Sequence, residues 1–286
     1  MYKIYRRDQH VVLEGPREDH VHLLQQPGVI VLEDGITLCK LFPAERFKIT
    51  PEEINAALAQ HRTGRDVVVL GFSGYSMLNA ARCNALHIRL GEYEAACIGM
   101  FGASINAMRV RVHNPDVRII YGSSDMGVDK AIEQVATHIN CPLLGISCPE
   151  YLWYVNADKG PTICVAENTE EYCNTYIKGL DILFAANGGP VSYEMDIRAA
   201  TRFAKRVIIV DVLRTLGARI QGFDQDNKVL DAAAALQERL ALISSGDEWV
   251  NKEGDAYEAM TDRLITRVVT FARQLVSPER AYGLMN

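Results

Sequence analysis

Asp181 to Val212 reads DILFAANGGPVSYEMDIRAATRFAKRVIIVDV, and this stretch decides the fold. It opens on a short apolar run, Ile182 to Ala186, with the length and composition of a strand buried on both faces. Asn187-Gly188-Gly189-Pro190 then punctuate the chain. Ser192, Tyr193 and Glu194 begin an alanine-rich helical stretch that reaches to about Lys205, and a second apolar run, Val207 to Val210, closes the unit. Strand, glycine turn, helix and strand together make a βαβ crossover. Small ligands of such sheets sit beyond the carboxyl ends of the strands. Asn187, Gly188, Gly189 and Ser192 are therefore candidate ligand contacts, and Glu194 is the candidate catalytic residue.

The same grammar recurs upstream. Val67 to Leu70 is a continuous Val/Leu run that ends in Gly71-Phe72-Ser73-Gly74-Tyr75, which reads as a central parallel strand and a tight turn. Gly71, Ser73, Gly74 and Tyr75 are expected to meet a ligand, although glycines here serve equally well to make the turn. Val117 to Tyr121 is a further strand. It runs into Gly122-Ser123-Ser124-Asp125-Met126-Gly127 and a helix to about Ile139, with apolar positions at 128, 132, 135, 136 and 139. Backbone N–H groups at that helix start, with the two serine hydroxyls, suit an anion such as phosphate. Asp125 is expected as the helix N-cap, a structural role set beside ligand contact. The spacing matches neither the P-loop nor GxGxxG, and Gly71-Phe72-Ser73-Gly74 is not a GxSxG elbow.

Elsewhere the signals are structural. Val29 to Leu32 and Ile36 to Cys39 flank Asp34-Gly35 as a hairpin. Thr50-Pro51-Glu52-Glu53 is a helix start with a capping box, and the helix ends near His61. Asn79 to Leu90 reads as helix, whereas Ala95 to Met108 fits strand or helix. Cys141 to Cys148 and Thr162 to Ala166 read as strands. The aromatic cluster Tyr151-Leu152-Trp153-Tyr154 between them either stacks on a base or packs under a loop. Asn168 caps the helix that leads into Asp181. Ala232 to Ile243 and Ala256 to Leu275 read as amphipathic helices, the second with Met260, Leu264, Val268 and Phe271 on one face. The expected organisation is a β-rich segment at 1–62, a Rossmann-like α/β core at 63–215 with a parallel sheet flanked by helices, and a helical segment at 216–286.

Composition bounds the function. A hydrophobic share of 48% and a charged share of 23% mark an ordinary globular protein. The net charge of −6 argues against a general nucleic-acid binder. Seven cysteines without a CxxC pair suggest reduced thiols and a cytoplasmic setting. No apolar run is long enough to span a bilayer, and no partner in the membrane is expected. His20-x-His22 is the only histidine pair with even a hint of metal spacing, so no metal site is expected.

The three strand-end loops GFSG, YGSSDMGVDKA and NGGPVSYEM, in this order, resemble the SLOG superfamily. This is the Rossmann-like group of LOG-type "lysine decarboxylase-like" phosphoribohydrolases, molybdenum-cofactor carriers and DprA-type domains. Gly188-Gly189 match the glycine pair of its GGxGTxxE signature, and Ser192 stands where the threonine does. Val191 replaces the glycine before it, Glu194 follows Ser192 by two residues instead of three, and Asn168 to Lys178 contains no arginine where LOG enzymes carry one. Asp181, Glu194, Ala199-Ala200 and Lys205-Arg206-Val207 also resemble the outline of nucleoside 2-deoxyribosyltransferases. The resemblances span about Arg65 to Val212. They imply a small-molecule nucleotide or phosphorylated ribose as ligand, no required cofactor and a homo-oligomer. They also imply N-glycosidic cleavage or transfer, with Glu194 stabilising an oxocarbenium-like transition state. The alternatives are a non-catalytic carrier or sensor, or an assembly protein built on the same scaffold.

Overall fold

The computed structural model describes residues 2–6, 11–15, 24–26, 29–31, 38–76, 78, 80–156, 160–188, 191–217 and 257–276. Five strands come first: β1 (Tyr2–Arg6), β2 (Val11–Gly15), β3 (Leu24–Gln26), β4 (Val29–Val31) and β5 (Leu38–Pro43). They form an antiparallel sheet in the order β2-β1-β5-β4-β3. The expected hairpin is present, with Ile30 opposite Cys39. Its Asp34-Gly35 turn lies outside the described residues.

The parallel sheet begins with β6 (Phe47–Lys48) and α1 (Pro51–His61). The start of α1 follows the local chemistry closely. Thr50 accepts from the Glu53 backbone, the Glu53 carboxylate takes the Thr50 N–H, and Pro51 fills the first turn. Then come β7 (Val67–Gly74), α2 (Ala80–Leu86), α3 (Glu92–Arg111), β8 (Asp116–Tyr121), α4 (Gly127–His138) and β9 (Leu143–Ser147). A 3-10 turn at Leu152–Tyr154 leads to β10 (Ile163–Val165), α5 (Thr169–Gly179) and β11 (Ile182–Ala186). A π-helical segment, Val191–Ile197, runs into α6 (Arg198–Arg202), followed by β12 (Arg206–Val210), α7 (Val212–Thr215) and α8 (Tyr257–Leu275).

The seven strands β6 to β12 pair in parallel, in the order β12-β11-β7-β8-β9-β10-β6. β7, β9, β10 and β11 are apolar almost throughout because helices cover both faces. On one face Val68, Leu70 and Phe72 pack with Met100, Phe101 and Ile105 of α3 and with Met260, Leu264 and Val268 of α8. Phe72 stacks on Phe184 at 4.9 Å and lies 4.5 Å from Phe101. On the other face Val69, Leu183 and Ile209 pack with Tyr176 and Ile177 of α5, with Leu180 just after it, and with Ala199 and Ala200. This is a doubly wound α/β fold. β6 and α1, placed by the sequence in the first segment, join the sheet and its helical layer, and α8 closes the α3 face.

α3 resolves the strand-or-helix ambiguity. Tyr93, Ala96, Cys97, Met100, Phe101, Ser104, Ile105 and Met108 are buried along it at helical spacing. Its outward positions Ala95, Gly99, Gly102 and Ala103 are small and uncharged, so the sequence carries little polar contrast. The predicted Ala232 to Ile243 helix lies outside the described residues. Among them, no helix is long and apolar enough to cross a membrane.

Candidate functional site

The strand order creates a switch point. From β7 the chain steps outward through β8 and β9 to β10, then returns by α5 to β11, on the opposite side of β7. The helices that follow β7 lie on the α3 face, and those that follow β11 lie on the α5 face. The connections of two neighbouring strands therefore part company, leaving a crevice at their carboxyl ends. Gly74 of β7 stands in register with Ala186 of β11.

Three turns distant in sequence meet there. Tyr75 O accepts from Val128 N at 2.9 Å, joining the end of β7 to the start of α4. Gly127, at φ 57°, lies so close beneath that turn that a Cβ would come within 2.1 Å of Tyr75 O. Ser192 Oγ donates to Gly74 O at 3.3 Å, joining the third turn to β7. Gly188, at φ 133°, has Ser192 Oγ 2.4 Å and the Gly74 carbonyl carbon 3.3 Å from where its Cβ would be. Tyr93 of α3 ties the strand ends from below: its hydroxyl donates to Ala186 O and accepts from Tyr75 N at 3.1 Å.

Several of the expected contacts face elsewhere. Gly71 makes room for a helix: a Cβ would come within 2.2 Å of Leu180 and 3.1 Å of the Tyr176 hydroxyl. Tyr75 is 5% exposed and packs edge-on against Tyr93. Ser123 turns its hydroxyl onto Ile146 O of β9 at 3.3 Å. Asn187 is spent on the start of α7, donating to Asp211 at 2.8 Å and accepting from Leu213 N at 3.0 Å. The aromatic cluster is divided: Tyr151 packs edge-on against Tyr172, Trp153 lies half-buried against Leu152, Val155, Phe42 and Phe47, and Tyr154 is exposed.

The anion nest expected at Gly122 to Gly127 already holds a carboxylate. Asp129 accepts from Gly122 N at 3.0 Å and Ser124 N at 3.1 Å, and Ser124 Oγ donates to Met126 O. A Cβ on Gly122 would meet Asp129 at 2.7 Å and the Tyr172 hydroxyl at 2.9 Å. Asp125 is not the N-cap. Met126 holds that place without a side-chain bond, while Asp125 is exposed and pairs with Lys130 at 3.3 Å. Asp129, in the first turn of α4, reaches back instead to two N–H groups of the preceding loop and so fastens the loop to the helix.

Beneath the crevice lies a second acid that sequence reasoning missed. Asp196, 5% exposed, accepts from Ser73 Oγ at 2.7 Å through Oδ2, and its Oδ1 is buried without a hydrogen-bond partner. Burial pushes its carboxyl up to about 7, against the hydrogen bond from Ser73 and a weaker one from the Cys173 thiol, which pull it down. Burial likewise raises Asp129 to about 6, against the hydrogen bonds from Ser124 and Gly122. The one legible signal was an acid set between Met195 and Ile197, close behind Glu194. Glu194 falls within the π-helical segment, its side chain outside the described residues, as is Gly189. At this edge Ser76 is exposed, Gly74 and Met126 are half-buried and Gly188 is buried.

An open polar hollow of about 490 Å³ lies at the opposite, amino-terminal edge of the sheet, lined by Arg65, Asp66, Arg109, Asn114, Asp116 and Asn140. Doubly wound sheets bind ligands at the carboxyl edge, so the crevice is the stronger candidate.

Strand order and switch point define a Rossmann-like α/β protein with a carboxyl-edge crevice. No family model matches the chain, and no curated protein matches its sequence. Among solved structures it is similar to TM1055, a structural-genomics target, at 14% identity and a TM-score of 0.36 over 60% of this chain and 99% of that one. It is also similar to the molybdenum cofactor carrier protein from Chlamydomonas reinhardtii, at 12% identity and a TM-score of 0.40 over 70% of this chain and 98% of that one. Likenesses this remote carry no argument about ligand or chemistry.

Proposed function

We propose that the chain binds a nucleotide or nucleotide-derived ligand in the crevice between the β7 and β11 ends. The sugar lies over Gly74, and the phosphate lies between Gly188 and Ser192, at the start of a helical segment whose first N–H groups lack intrahelical partners. The observation that carries this reading is the meeting of the three turns at the switch point, through Val128 N to Tyr75 O at 2.9 Å and Ser192 Oγ to Gly74 O at 3.3 Å. Phosphate is not assigned to the Gly122–Gly127 loop, because Asp129 occupies its N–H groups.

A second reading adds N-glycosidic cleavage or transfer. What favours it is that the helical segment after Gly188 carries two acids, Glu194 and Asp196, of which Glu194 would serve as nucleophile or charge stabiliser. A carboxylate beneath the sugar offsets the positive charge that develops on the ring. The rival reading is a carrier or sensor that holds the ligand without turnover.

One experiment separates them. The protein is incubated with nucleoside 5′-monophosphates, deoxynucleosides and NAD while free base and melting temperature are followed. Thermal stabilisation without base release supports a binder. Base release that is lost in Glu194→Gln supports the enzyme. Neither effect with any compound contradicts the ligand reading and favours a scaffold.

A further inference from the structure

The carboxyl edge of the sheet buries two acids with no described cation acting on Asp196. Ser73 faces Asp196 from β7, and Tyr172, Cys173 and Tyr176 face it from α5. The charge of Asp129 reaches it from α4. On its own segment the Glu194 side chain lies outside the described residues. Asp129 in turn is held by Gly122 N and Ser124 N, with the charge of Glu133 also acting on it. Asp196 Oδ1 is the buried oxygen left without a partner.

Buried carboxylates without a counter-charge are costly and take up a proton instead. The charge of Asp129 makes ionisation of Asp196 less favourable still. A phosphate bound above them adds a third negative charge. Asp196 is tied to Ser73, next to Gly74 on β7, and shares its helical segment with Ser192, whose hydroxyl reaches Gly74 O. The proton site and the ligand turn are thus one connected unit.

We propose that Asp196 is a proton site linked to the crevice, so that an anionic ligand binds together with one proton taken from solvent. No covalent bond forms or breaks; the proton resides on the Asp196 carboxyl. Linkage makes the coupling reciprocal: the bound anion tightens the hold on the proton, and the proton tightens the hold on the anion. The inference rests on the reading of the crevice as a nucleotide site and names how that site is regulated.

Calorimetric titration with adenosine 5′-monophosphate tests it, at about pH 6.5 and about pH 8, in buffers of different ionisation enthalpy. The wild type and Asp196→Asn are compared, so the ionisation of the phosphate itself is common to both. The expected result is greater proton uptake by the wild type. Its affinity also falls about three- to tenfold more than that of the variant between the two pH values. Should Asp196→Asn not fold, Ser73→Ala serves. Losing the hydrogen bond that favours the charged carboxylate moves the wild-type pH dependence to higher pH. Binding with equal proton counts in the two proteins overturns the proposal alone. No binding at any pH removes the crevice reading, and the proposal with it.

Discussion

Ser73 Oγ donates to Asp196 Oδ2 at 2.7 Å, joining the end of a central strand to a helical segment 123 residues later in the chain. Both groups are buried and the second carboxylate oxygen is unpartnered, so the contact makes stability depend on pH. The ordinary value of the Asp196 carboxyl is 3.8 and burial lifts it to about 7. A raised acid stabilises the fold fully below its ordinary value, and that contribution is lost as pH rises through the folded one. The unfolding free energy of Asp196→Asn minus that of wild type should therefore grow from about pH 4 to about pH 7, at up to about 1.4 kcal/mol per pH unit. Urea unfolding across that range checks it, and a flat difference contradicts it.

His61 works in the opposite direction. It closes α1, and its Nε2 is buried without a partner. Burial, and then the Arg118 charge, lower it from 6.5 to about 4. A lowered histidine stabilises the fold above its ordinary value and costs stability as pH falls through the window between the two. Replacing His61 with Gln should flatten the acid limb of the stability curve between about pH 6.5 and about pH 4. An unchanged limb would count against the assignment.

Tyr176→Phe tests how α5 is fastened to the sheet. The Tyr176 hydroxyl accepts from Phe72 N at 2.5 Å and donates to Phe72 O at 2.6 Å. Its loss strands two buried backbone groups, at a cost of about 1–3 kcal/mol. Chemical denaturation reads the loss, and a change under about 0.5 kcal/mol would show that other groups satisfy Phe72.

Gly127→Ala should do more harm than an ordinary helix-start substitution. The position has φ 57°, and the new Cβ would press on Tyr75 O from 2.1 Å. A loss of about 2 kcal/mol or more is expected, from backbone strain and from displacement of the Tyr75 carbonyl that receives Val128 N. Nucleotide affinity should fall with it, because the same carbonyl aligns two turns of the crevice. Unchanged melting temperature and affinity would show that the turns are not rigidly coupled.

The parallel strands were legible in the sequence because burial on both faces leaves unbroken apolar runs such as Val67 to Leu70 and Ile182 to Ala186. The start of α1 was legible because the Thr50 and Glu53 signal is local. What stayed hidden depends on groups far apart in the chain. Nothing near Gly71 says that Leu180 fills the space above it, and nothing near Gly122 says that Asp129 and Tyr172 do. The π-helical winding that brings Asp196 under Ser73 leaves no mark in residue spacing, and it was read as ordinary helix. That Tyr75 meets Val128 and Gly74 meets Ser192 follows from topology, since all lie at the carboxyl ends of parallel strands. The direction in which Ser123 and Asn187 turn does not, because rotamers answer to neighbouring strands and not to motifs.

The most direct test of the crevice is an amide NMR titration of the assigned protein with adenosine 5′-monophosphate. The account predicts that the N–H signals of Gly74, Tyr75 and Gly188 shift together and saturate with one affinity. Shifts centred instead on Arg65, Arg109 and Asn140 at the opposite edge of the sheet, with the carboxyl-edge turns unmoved, would contradict it.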